Sequence, residues 1–121
     1  MKRTCVQCAE VVLEPNADPA APGGAVTLAL CGSWDHTGPC RWPHQTSAAW
    51  DEHRGRVRVV FVADAEDEEQ VRSLIDQALA GGECVGPDGK LNRWEAVEHA
   101  AGLPGESENA FGASMTGTTD P

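Results

Sequence analysis

The sequence predicts a small two-layer α+β domain, a three- or four-stranded sheet covered on one face by one main helix at about 65–80. Three observations predict it. Val71, Leu74, Ile75, Ala78 and Leu79 recur at i, i+3, i+4, i+7 and i+8, which is one apolar stripe of a helix. Residues 56–63 carry Val57, Val59 and Phe61 on one side and Arg58, Val60 and Val62 on the other, so this strand is apolar on both faces in its second half and reads as central. A chain of 121 residues has room for one small domain.

In chain order, residues 1–14 form a short N-terminal segment whose Val11 to Leu13 could pair at a sheet edge. Residues 15–24 hold three Pro and two Gly with little to bury and read as a flexible linker. The single core domain is placed at 25–100. Its first strand is Ala25 to Cys31, where Val26, Leu28 and Leu30 alternate with Thr27 and Ala29. Between this and the strand at 56–63, Pro43 can open a short helix and Gly55 close it, with Trp50 toward the core. The helix follows, with Asp64 as N-cap, acidic residues in its first turn and Gly81-Gly82 at its end. Its stripe is expected to pack on Val57, Val59, Phe61 and Leu28. Gly86-Pro87-Asp88-Gly89 signals a turn; in 90–97 Leu91, Trp94 and Val97 fit a helical face, but the turn before them invites a closing strand, which is the reading taken. Residues 101–121, poor in large apolar groups, read as a disordered tail.

Nine Lys+Arg against nineteen Asp+Glu give a formal charge of −10. Such a chain repels phosphates and anionic headgroups, so neither nucleic acid nor a membrane is expected as partner. With no apolar run near the length of a membrane span and no export signal, a cytoplasmic protein is expected. Five cysteines in that setting favour free thiols or metal thiolates over a disulfide framework.

The segment most suggestive of chemistry is Cys31-Gly-Ser-Trp-Asp-His36-Thr-Gly-Pro-Cys40-Arg-Trp-Pro-His44. Two thiols and two imidazoles within one turn-rich loop are the donor set of a tetrahedral zinc site, so Cys31, His36, Cys40 and His44 are the candidate ligands, walled by Trp34 and Trp42. Cys5-Val-Gln-Cys8 has the spacing of a zinc knuckle and could complete the site by folding back. The same residues also fit a metal-free loop of buried thiols and surface imidazoles.

Thr37-Gly38-Pro39-Cys40 locally resembles the thioredoxin active-site turn, Cys-Gly-Pro-Cys between a strand and a helix. Thr37 stands in the place of the attacking cysteine. The resemblance leaves Cys40, in the resolving position, as the candidate redox thiol. Arg54, Arg56 and Arg58 form a local cationic set, expected to be solvated or paired with Asp51 or Glu52. Three functions are therefore open: a small accessory or interaction domain for a protein partner that binds zinc through residues 31–44, a thiol redox protein using Cys40, or a metal-free protein-interaction domain. No phosphate-binding glycine loop, nucleophile elbow or metalloprotease helix appears, so no motif fixes a reaction.

Overall fold

The computed structural model describes residues 2–31, 42–86 and 88–116. Their order is β1 (Lys2–Leu13), α1 (Ala21–Cys31), β2 (His44–Asp51), β3 (Arg54–Asp64), α2 (Glu68–Ala80), β4 (Glu83–Val85), β5 (Leu91–Gly102) and α3 (Glu106–Thr116). The strands form one antiparallel sheet ordered β2-β3-β1-β5-β4, curled into a half-barrel. The connectivity is two interleaved split β-α-β units: α1 carries the chain from β1 to β2 past β3, and α2 carries it from β3 to β5 past β1. The expected three- or four-stranded sheet with one main helix is thus corrected to five strands and three helices among the described residues.

Four local readings account for the difference. Ala25 to Cys31 is the second half of α1 rather than a strand. Pro22 sits in the first turn, where a missing N–H costs nothing, so the Pro/Gly-rich stretch opens the helix. Residues 44–51 form β2 instead of a short helix. They pair with β3 through a tight turn in which Glu52 adopts φ 55°, the left-handed conformation that two-residue hairpin turns require. Lys2–Leu13 lies between β3 and β5 in the middle of the sheet, not at its edge. Residues 106–116 are helical, as α3.

Register fixes which residues meet. Cys5, Gln7 and Ala9 stand opposite Phe61, Val59 and Val57, and these side chains face α1 and α2. A register shift between Glu10 and Val11 on the β5 side bends the pair, as a bulge does. On α2, Val71, Ile75 and Leu79 are buried and Leu74 and Ala78 half-buried, in one core with Val57, Val59 and Phe61. The expected stripe therefore packs where it was placed, with Leu28 at its margin. Asp67, not Asp64, is the N-cap residue, and Gly81 the C-cap.

A buried polar network ties α2 to the sheet centre. Gln7 Nε2 donates to Asp76 (2.8 Å), Arg72 Nη1 donates to Gln7 Oε1 and to the Val6 carbonyl (both 2.6 Å), and the Arg72 guanidinium lies 5.4 Å from the Phe61 ring centroid. Each buried polar atom named here has a partner, which is the condition for such a group to be tolerated in a core. At the far corner the Trp94 indole donates to the Leu79 carbonyl at the end of α2 (2.8 Å). Asn92, also buried, accepts from the Asp18 amide (2.8 Å), holding the β1–α1 connection against β5.

The second face of the sheet is apolar at one end. Val6, Val60 and Val62 are buried there beneath α3. Gly112 makes the close approach possible, because a Cβ at that position would fall 1.6 Å from Thr4 Oγ1. Arg58 clamps the helix in place. Its Nε and Nη2 each donate to Glu108 (2.7 Å both), and Nη2 also donates to the Leu103 carbonyl (2.7 Å). No described helix is long and apolar enough to cross a membrane.

Candidate functional site

Of the four expected zinc ligands, His36 and Cys40 lie outside the described residues, and so does the redox turn built on Cys40. Cys31 is the last residue of α1 and His44 the first of β2. The loop therefore follows a helix and precedes a strand, the reverse of the strand-turn-helix frame that the thioredoxin resemblance implies. Cys5 and Cys8, three apart on β1, fall on opposite faces of the sheet. Cys5 is buried opposite Phe61 under the helices, and burial pushes its thiol pKa up. Cys8 lies on the second face, 3.8 Å from Arg58 Nη1. The sheet lies between the two thiols, which a knuckle turn would instead bring together. Among the described residues no group of three His, Cys, Asp or Glu could hold a metal ion.

His44 nevertheless occupies a built environment. Its Nδ1 is 3.2 Å from the Trp42 carbonyl, which can only accept, so Nδ1 carries the hydrogen of that contact. Nε2 then faces Thr27 Oγ1 on α1 at 3.3 Å. Because alternate strand residues share a face, His44, Thr46, Ala48 and Trp50 of β2 all turn toward α1. With Thr27 and the glycines of the first helical turn they line an open cleft of about 500 Å³. Trp50 is set by Gly55 across the hairpin, where a Cβ would lie 2.1 Å from an indole carbon. Thr46 Oγ1 is buried without a hydrogen-bond partner.

A second concavity is apolar. Ala25 and Leu28 of α1, Ala78 of α2, Cys84 and Val85 of β4 and Leu91 of β5 line a groove of about 490 Å³. Val85 and Leu91 stand on its rim, 52% and 44% exposed. The sequence marked neither concavity, because both depend on α1 being a helix: read as a strand, Thr27 and Leu28 point to opposite sheet faces and meet nothing on β2 or β4.

The arginine set on the second sheet face is largely engaged. Arg54 donates to Glu10 (3.0 Å) and Arg58 to Glu108, not to the expected Asp51 or Glu52. Glu108 is held down to about 2, first by the Arg58 hydrogen bonds and then by the Gly105 amide, and the same pairing raises the pKa of Arg58.

No known family model, curated protein or solved structure matches this chain.

Proposed function

We propose that the protein is an accessory interaction domain that docks an apolar segment with basic flanks, supplied by a protein partner, in the groove between α1, α2 and the β4–β5 hairpin. The observation that carries this reading is the pairing of an apolar groove with two large aliphatic side chains left half in water at its rim. Scattered exposed aliphatics are ordinary, but aliphatics contiguous with a concave apolar floor form a surface that gains free energy when covered. A groove running between two helices fits the apolar face of a third. The charge of −10, with Glu83 lining the groove, favours a cationic flank and repels an acidic one.

The test uses a fluorescent peptide helix with Leu on one face and Lys on the other, titrated with the protein and followed by anisotropy. Binding is expected to weaken with salt and to fall by at least about tenfold in Leu91→Glu, a surface change that leaves the circular dichroism of the fold intact. No binding to the wild type, or equal binding to Leu91→Glu, refutes the groove as the docking site.

A further inference from the structure

The geometry points to a binding site for a compact zwitterion, an amino acid or a molecule of that charge pattern, in a concavity on the second sheet face, with Arg56 of β3 holding its carboxylate end and Glu98 of β5 its ammonium end. It is independent of the apolar groove, which lies on the helix side of the sheet and shares no lining residue with it.

The concavity is about 310 Å³, at the lower end of the ~300–1,000 Å³ range of small-ligand sites, and its walls are strands rather than loops. Register puts Arg56, Glu10 and Glu98 in one row across β3, β1 and β5, all on this face. Glu10 stands between the other two, but its carboxylate is taken by Arg54 at 3.0 Å. Among the described residues that leaves Arg56 and Glu98 without ion-pair partners, two opposite charges lining one concavity with an engaged carboxylate between them.

Spacing then sets the size of the ligand. Two strand intervals of ~4.7–4.9 Å place Arg56 and Glu98 about 10 Å apart, and side chains stand roughly perpendicular to a sheet, so their charged ends keep a similar separation. A charge-assisted contact of ~2.7–2.9 Å at each end leaves about 4 Å, close to the span from the outer carboxylate oxygen to the nitrogen of an amino acid. Arg58 adds a donor. Its Nε and Nη2 are held by Glu108 and the Leu103 carbonyl, which leaves Nη1, 3.8 Å from Cys8 Sγ, to share a carboxylate with Arg56 two residues along the strand. Gly102 of β5 makes room for that nitrogen, since a Cβ there would lie 3.3 Å from it. Charge selects the class of ligand. A simple anion meets Glu98 and the field of a chain carrying −10, and a simple cation meets two guanidinium groups. A molecule with both charges satisfies both walls and adds no net charge to the protein.

Alanine, propionate and ethylamine are matched probes: one short carbon skeleton that at neutral pH carries both charges, the carboxylate alone or the ammonium alone. Saturation-transfer NMR on the full chain at low salt should show transfer to alanine and to neither of the others. Arg56→Gln and Glu98→Gln, both at exposed positions, should each weaken alanine binding roughly tenfold, the loss of one charge-assisted hydrogen bond, and keep the melting curve. Glu95→Gln, also exposed on β5 but outside this concavity, removes an equal charge and should bind alanine as the wild type does, which separates a site from the general field of the protein. The inference is overturned if alanine gives no signal with the wild type, if propionate or ethylamine gives an equal one, if Arg56→Gln or Glu98→Gln binds as well as the wild type, or if Glu95→Gln weakens binding as much as Glu98→Gln.

Discussion

Replacing Glu108 by Gln removes a charge from the clamp that holds α3 on the second sheet face while keeping the shape of the side chain. Glu108 does two things: it takes both Arg58 nitrogens, and at the third position of α3 its Oε1 reaches back to the Gly105 amide (2.7 Å), as in one half of a capping box. Its carboxyl lies at about 2 instead of an ordinary 4.5. At ~1.4 kcal/mol per unit the shift corresponds to about 3 kcal/mol, an upper figure. The Arg58 side chain is 34% exposed and Glu108 20% exposed, so solvent screening reduces the net value to about 1–2 kcal/mol. The raised pKa of Arg58 describes the same contact and is not counted again. A carboxyl depressed in the folded state stabilises the fold above its unfolded value and loses that contribution as pH falls through its folded value. The stabilisation is therefore full above about pH 5 and gone near pH 2. At pH 7, Glu108→Gln should lower Tm by about 4–8 °C. The gap between wild-type and variant melting curves should close as the pH is lowered from about 5 to 2. Equal melting at neutral pH, or a gap that persists at pH 2, would refute the assignment of this stability to the Arg58–Glu108 pair.

Four further outcomes are expected. Ile75→Ala empties the centre of the α2 stripe and should cost about 2–5 kcal/mol in denaturant unfolding; a loss under about 1 would mean the helix does not pack on β3 as described. Gly55→Ala drives a methyl into the Trp50 ring and should both destabilise the fold by about 1–3 kcal/mol and shift the tryptophan emission. Cys5 and Cys84, whose thiol pKa values burial raises, should stay unmodified by a maleimide in the native protein and react only on unfolding; rapid native labelling of either contradicts their placement. For Cys31, His36, Cys40 and His44, the zinc expectation predicts about one zinc per chain after purification without chelator and a Tm lowered by EDTA, and a metal-free preparation with an unmoved melting curve retires it.

The elements legible in the sequence were those in which one periodicity had no competitor. The stripe from Val71 to Leu79 has flanking acids at its start and glycines at its end, so α2 could be placed to within about three residues. β3 carried strand alternation, whereas in β5 Leu91, Trp94 and Val97 fit a helical face equally well and only the turn before them favoured a strand. α1 was hidden because Val26, Leu28 and Leu30 happen to alternate, while Pro22, Gly23 and Gly24 look like chain breakers; the packing of Val26 and Leu30 against α2 and the sheet overrides both signals. β2 lacked a hairpin signature, since its turn places Glu52 rather than Asn or Gly at positive φ. In β1 the Cys5–Cys8 spacing drew attention to metal chemistry and away from the alternation of Cys5, Gln7, Ala9 and Val11, which is what places the strand at the centre. Of the candidate site, His44 was named from the sequence, but Thr27, Thr46 and Trp50 become its neighbours only when α1 and β2 are a helix and a strand.

The central position of β1 sets the order in which the molecule can assemble. Its partners are residues 54–64 on one side and 94–102 on the other, so β1, synthesised before the other strands of its sheet, has no neighbour until β3 has emerged and is not enclosed until β5 has. The β2–β3 hairpin and α2 need only local contacts and can form in microseconds, whereas enclosing β1 demands the longest loop closures in the sheet. Until that happens, Val57, Val59 and Phe61 stand beside an open strand edge, and the nascent chain is most vulnerable to pairing with its neighbours. Circular permutation that joins the end of α3 to the start of β1 would shorten the separation in sequence between β5 and β1 while keeping α3 on the sheet, and so should speed folding.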